Sequence, residues 1–399
     1  MRRAKTEEGK QMSRLLNAVP ETQGHSNSEV VPFDLDQALA ETVEAGASDL
    51  HVKPGCMPRV RVEGELMQLN GYGPVSRDEL HALAQSVLVS DAKREILEHE
   101  GSADLSYDAP CGRFRCSAFR QRGGTSYIFR TIPEAPDFDE LGLPEVVLTW
   151  TGAPQGLVII TGPTGSGKST TSAAMLRRIN EGRSCHIVTV EDPIEFIHHD
   201  AASLVSQREI GADAPSFSRA LKAALRQDPD VILIGEIRDE DTAMTALRAA
   251  ETGHLVFATL HTSGAADTVA RLMELFASRG SHLGRQMLAA SLVGIISQRL
   301  VRGQDGRRRV NAEVLVNTAR MRECLADGGD AAELQQIIAE GDYYGMQTFD
   351  QSLLDLVARG EMTQAEATAA AINPHNFRLE MMQLEGSTDV FGTGLKPKA

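Results

Sequence analysis

Aromatic residues are scarce in this chain. Twelve Phe, five Tyr and a single Trp make up 5% of 399 residues, too few to build a stacking platform for single-stranded nucleic acid. A basic excess is missing as well. The 55 acidic residues outnumber the 40 basic ones, for a net charge of −15, and neutralising a phosphate backbone requires a basic face. No nucleic-acid partner is expected for the whole molecule, although local basic patches stay open. Cysteine is thin: Cys56, Cys111, Cys116, Cys185 and Cys324 are scattered and odd in number. Cys111 and Cys116 lie close together, but no second Cys/His pair stands at zinc-ligand spacing, so reduced thiols in a cytosolic protein are expected. Long apolar runs are also lacking. Residues 157–160 and 292–296 are core-sized and fall well short of the roughly 18 residues that span a bilayer. The basic residues 1–5 lead into a polar stretch rather than an apolar one, so no signal peptide is read. The expected location is the cytoplasm, unless a partner holds the protein at a membrane.

What is there is a phosphate cradle. Gly162-Pro163-Thr164-Gly165-Ser166-Gly167-Lys168-Ser169 has the glycines that let backbone N–H groups turn onto phosphate oxygens. Lys168 can reach the β/γ-phosphates, and the Ser169 hydroxyl can enter a Mg²⁺ shell. Residues 157–160 read as the buried strand entering the loop. Thr170 opens a helix that runs to about Arg178 and aims its N-terminus at the anion. The sequence therefore predicts a nucleoside-triphosphate site.

Two blocks flank a proline-bearing stretch. Residues 1–31 and 381–399 read as a disordered arm and a flexible tail. Leu35, Ala38, Leu39, Thr42 and Val43 mark one helix face, closed by Gly46. Period-2 alternation at 49–52, 59–62, 113–120 and 126–130, with Gly123-Gly124 between the last two, predicts a half-buried antiparallel sheet. This gives a small α+β domain at 32–132. Residues 133–153, with Pro133, Pro136 and Pro144, read as an interdomain linker. From 154 to 380 strands alternate with helices, which predicts a parallel sheet covered on both faces. The strands are expected at 157–160, 185–190, 231–234 and 254–260. From about 284 onward the chain reads as mostly helical.

In parallel α/β sheets the ligand lies at the carboxyl ends of the strands, and each strand here ends in a useful group. Glu191-Asp192, Glu236 and His261-Thr262 occupy those ends. Glu236 can orient a water or help hold Mg²⁺, with a solvated loop acid as the bland reading. Glu191 can do similar work or act as a structural cap. His261 can sense the γ-phosphate or serve only as a structural histidine.

Taken together, the phosphate loop through Thr170-Thr171, Val190-Glu191-Asp192-Pro193-Ile194-Glu195-Phe196, Gly235-Glu236-Ile237-Arg238-Asp239, and Ala250 to His254 with Thr259 to Thr262 resemble the boxes of one family. That family is the secretion ATPases of type II and type IV systems, within it the PilT-type pilus retraction ATPases of twitching motility. Gly46-Ala47-Ser48-Asp49-Leu50-His51, Arg130-Thr131-Ile132-Pro133 and Gly345-Met346-Gln347-Thr348-Phe349-Asp350-Gln351 extend the likeness over about 32–380. The resemblance implies an α/β fold: a RecA-like P-loop NTPase core, a smaller N-terminal α+β (PAS-like) domain and a helical C-terminal part. It implies a homohexamer fuelled by Mg²⁺-ATP, with Glu236 as main catalytic carboxylate and Glu191 and His261 in support. Arg113, Arg115 and Arg130 match arginines that reach the phosphates; strand alternation alone would also place them on an exposed face. Implied partners are an inner-membrane platform protein and a paralogous pilus ATPase.

Two departures stand out. The retraction branch carries Ala-Ile-Arg-Asn-Leu where this chain has Ala319-Arg320-Met321-Arg322-Glu323-Cys324-Leu325, and the arm before residue 32 has no counterpart. The pilus-extension branch has a larger N-terminal region and a four-cysteine zinc site, both missing here, so retraction is the favoured reading. An assembly or export motor of a secretion system and a weakly hydrolysing regulatory partner of a paralogous motor remain as alternatives.

Overall fold

A computed structural model describes residues 16–17, 33–276 and 281–391. Most of the arm at 1–31 and the end of the tail lie outside the described residues. Contacts divide the chain into two units, Met1–Pro133 and Glu134–Ala399.

The first unit is built on a seven-stranded antiparallel sheet. Its strands are β1 (Leu16–Asn17), β2 (Asp49–Val52), β3 (Arg59–Val62), β4 (Glu65–Leu69), β5 (Ser102–Ala109), β6 (Gly112–Gln121) and β7 (Gly124–Thr131), in the order β1-β4-β3-β2-β7-β6-β5. Leu16–Asn17, inside the arm expected to be disordered, pairs with β4. The β6–β7 turn uses Arg122 at φ 45° and Gly123 at φ 75°, the two positive φ values that match a two-residue turn to strand twist. Alternation along β6 buries Phe114, Cys116 and Ala118 and leaves Arg113 and Arg115 on the other face. The buried set joins Leu39, Leu50, Tyr127 and Phe129 in one core. The helix Arg77–Val87 starts at a reciprocal Ser76–Glu79 capping box, a local signal for a helix not anticipated above.

The second unit contains β8 (Gly156–Thr161), β9 (His186–Glu191), β10 (Leu204–Glu209), β11 (Val231–Ile234), β12 (Leu255–Leu260), β13 (Leu292–Arg302) and β14 (Arg308–Val316). The order is β10-β9-β11-β12-β8-β13-β14. All pairs are parallel except β13–β14. Every residue of β8, β11 and β12 is buried, as a sheet covered on both faces requires. Each large aliphatic there stabilises the fold by roughly 1.5–3 kcal/mol relative to exposure.

Three expectations need correction. The mostly helical reading from 284 fails over β13 and β14, because an apolar run such as 292–296 suits a buried strand as well as a helix, and pairing with β8 selects the strand. The helices return at Ala319–Asp327, Ala331–Ala339, Phe349–Ala358, Gln364–Ala370 and Pro374–Phe391. The last of these takes in residues 381–391 of the expected tail. Finally, the stretch read as a linker carries short helices from Phe138 to Gly152. Phe138, Val147 and Trp150 are buried with Val158, Ile160 and Met175, so apolar burial outweighs the local proline signal. No helix among the described residues is long and apolar enough to cross a membrane.

Candidate functional site

The strand β8 delivers the chain to Gly162 with φ at 141°. A side chain there would run into the Gln298 carbonyl oxygen and Ser166 Oγ, so the loop needs glycine at its entry. Gly165 and Gly167 take φ of 78° and 93°, a left-handed geometry open to glycine. The helix Lys168–Gly182 then begins on Gly167 with no side-chain cap bond, which leaves its first N–H groups available to an anion. Ser166 Oγ is buried without a hydrogen-bond partner. An uncapped helix end and an orphaned hydroxyl in one glycine loop fit a polyphosphate.

Lys168 is only 8% exposed. Its Nζ donates to the carbonyls of Gly162 at 2.9 Å and Pro163 at 3.1 Å and lies 3.5 Å from His261 Nδ1. Burial pulls its pKa down, and Glu236 and Glu195 pull it back up. Glu236, at the carboxyl end of β11, places Oε1 at 3.3 Å from His261 Nε2 and accepts from Arg238 Nε on Oε2 at 2.6 Å. Arg238 also approaches Asp192 at 3.8 Å. Burial pushes the Glu191 carboxyl up, opposed by hydrogen bonds from Thr189 and Gln207 at 2.6 and 3.1 Å.

These groups share one cavity of about 720 Å³, lined by Thr164, Gly165, Gly167, Lys168, Ser169 and Thr170 on the loop side and by Glu191, Glu236 and His261 on the strand-end side. His198 also lines it, and burial pushes its imidazole down to about 4. The volume suits a nucleotide-sized ligand. Gly162 and Pro163 form the back of the loop through the carbonyls that hold Lys168. The first-unit arginines have their own setting. Arg115 lies opposite Arg130 across β6–β7, Arg130 pairs with Asp49 at 2.8 Å, and Arg113 bonds Asp108.

Sequence reading passed over several groups that the structure gathers here. Arg238 grips Glu236, and Gln207 from the unanticipated β10 holds Glu191. Leu300, Arg308 and Val310 of the β13–β14 hairpin line the far side of the cavity. Only Arg238 carried a signal, two residues past a strand-end carboxylate; the others arrive from strands that local pattern did not reveal.

The family model described as type II/IV secretion system protein matches residues 24–369. This chain belongs to that family. Among its members, the type IV pilus retraction ATPase PilT of Pseudomonas aeruginosa is 42% identical over 347 residues, covering 86% of this chain and all of the relative. A twitching motility protein of Neisseria gonorrhoeae is 42% identical over 321 residues, covering 80% of this chain and 85% of the relative. The crystal structure of the pilus retraction motor PilT with bound ADP superposes with a TM-score of 0.76 at 42% identity, covering 86% of this chain and 98% of that one. The fold is accordingly the mixed α/β arrangement of that motor, an antiparallel N-terminal sheet unit with a mainly parallel core, and the chain is a PilT-like ATPase of the secretion family.

Proposed function

We propose that this chain is the ATP-driven motor of type IV pilus retraction, working as a homohexamer on an inner-membrane platform protein. The observation that carries the reading is the meeting of Lys168, Glu236 and His261 around one glycine loop, in a chain that is PilT-like over most of its length. The triphosphate lies along the loop N–H groups, and the Lys168 ammonium exchanges its loop carbonyls for β/γ-phosphate oxygens. Glu236 orients the attacking water. The new bond forms from water oxygen to γ-phosphorus as the bond to the bridging oxygen of ADP breaks. His261, between Lys168 and Glu236, hydrogen-bonds the γ-phosphate, and Glu191 supports the water side. A hydroxyl at Ser169 and a carboxylate at Glu236 are hard oxygen donors that suit Mg²⁺. When bound, that ion neutralises charge building on the phosphate oxygens.

Arg113, Arg115 and Arg130 supply further positive charge as the two domains close, which couples hydrolysis to movement.

The test is ATP turnover and molecular mass of the purified protein, with twitching of a strain carrying Lys168→Ala. Turnover in a hexameric species, lost together with twitching in the variant, is the expected result. A regulatory role predicts that a paralogous motor sustains twitching when Lys168 is replaced; an export role predicts a secretion defect with twitching intact.

A further inference from the structure

The segment Ser263-Gly264-Ala265 follows His261-Thr262 directly and opens the helix Ala265–Leu275, whose N-cap Gly264 has no side chain with which to cap it. A cap arrives from elsewhere. Glu313 on β14, 1% exposed, accepts the Ala265 N–H on Oε1 at 2.7 Å. Its other oxygen accepts from Gln335 Nε2 at 3.0 Å, and Gln335 belongs to the helix Ala331–Ala339. One strand over, Arg299 donates to the Ser263 carbonyl at 3.3 Å and lies 4.3 Å above the Phe349 ring, at the start of the helix Phe349–Ala358. Thr262 is tied in turn to Thr161 and Thr268, each at 2.7 Å.

A carboxylate this deep is costly unless its oxygens are matched. Here a helix N-terminus and an amide match them. An apolar side chain could fill the same space without that cost, but it could not hold the Ala265 N–H. The carboxylate fixes where the helix begins, and the helix begins four residues after the imidazole that contacts Glu236 and Lys168.

We propose that Glu313, assisted by Arg299, is a positioning residue that sets the His261 imidazole against Glu236 and ties this loop to the C-terminal helices through Gln335 and Phe349. The proposal rests on the ATPase reading of the site. Movement of His261 on phosphate release would then be felt at Ala331–Ala339 and Phe349–Ala358 through two side chains of one hairpin.

The test is a kinetic cycle with Glu313→Ala, Glu313→Gln, His261→Ala and the double variant Glu313→Ala/His261→Ala. Losing a buried acceptor predicts that Glu313→Ala lowers kcat roughly tenfold, with KM for ATP within about twofold of the natural chain, because uniform binding is untouched. Glu313→Gln keeps an acceptor for Ala265 and restores kcat to within about threefold. The double variant should be no slower than the slower single variant, because Glu313 acts through His261. Multiplying losses, or failure of Gln to rescue, overturn the proposal. A second readout needs no turnover: NMR of ¹³C-labelled histidine, with the His261 signal assigned from His261→Ala. The imidazole signal should shift in Glu313→Ala, and an unmoved signal also overturns the proposal. If the natural chain itself hydrolyses no ATP, the motor reading fails, while the imidazole signal still decides whether Glu313 positions His261.

Discussion

In the first unit, strands carry cations between buried neighbours: Arg113 and Arg115 alternate with Phe114 and Cys116 along β6, and Arg130 follows Phe129 on β7. In the second unit the central strands β8, β11 and β12 are uncharged and bury every residue, and on β9 and β11 the carboxylates stand where the strands run out, at Glu191 and Glu236. The reason is geometric. An antiparallel sheet can leave one face to solvent, whereas a parallel sheet with helices on both sides has only its strand ends to offer. One sheet thus presents charge from a face and the other from the loops at its strand ends, and substitutions should behave differently in the two.

The largest effect is expected at the strand ends. Lys168→Ala should remove ATP turnover by at least about 10²-fold and weaken nucleotide binding measured by calorimetry. Glu236→Gln should cost about 10²-fold in kcat while nucleotide affinity stays within about threefold, since the proposed mechanism has the carboxylate act in the transition state. A Glu236→Gln chain that turns over normally would shift the water-orienting role to Glu191.

Within the second sheet, Phe257→Ala should destabilise by about 3–5 kcal/mol in denaturant unfolding, because Phe257 is fully buried. On the face of the first sheet, Arg115→Gln should change stability by less than about 0.5 kcal/mol and still lower ATP turnover. Equal stability losses at the two positions would erase the contrast between face and interior.

A further small effect concerns pH. Burial pushes the Asp49 carboxyl up, but the Ser48 hydrogen bond and the Arg130 ion pair outweigh it and hold the group below its ordinary value. A depressed folded pKa gives stabilisation that is present above the unfolded value of about 3.9 and is lost as pH falls through the folded one. Arg130→Met should therefore destabilise by under about 1 kcal/mol at pH 7, and the difference should vanish in acid. A pH-independent difference would assign the effect to packing instead.

Much of this chain was legible locally. The cradle from Gly162 to Ser169, the strand ends at Glu191, Glu236 and His261, and the β6–β7 hairpin each announce themselves within a few residues, through glycine spacing, apolar runs or alternation. The β13–β14 hairpin did not, since residues 292–296 fit helix and strand alike. Nor did the packing of Trp150, whose neighbours Val158 and Met175 are remote in sequence from the prolines that suggested a linker. The grip of Arg238 on Glu236 and the support of Glu191 by Gln207 were equally out of reach, because hydrogen bonds depend on side-chain direction.

The order of residues by itself determined that a phosphate loop sits between a buried strand and a helix, and that acids and a histidine follow the next strands. Those are properties of short segments, set by backbone freedom and hydrophobic period. Only the tertiary structure decided that β13 lies beside β8, that Lys168, Glu236 and His261 meet, and that Glu313 reaches across to cap the helix after His261. Each of these joins residues far apart in the chain, and such contacts exist only once the sheet's strand order is in place.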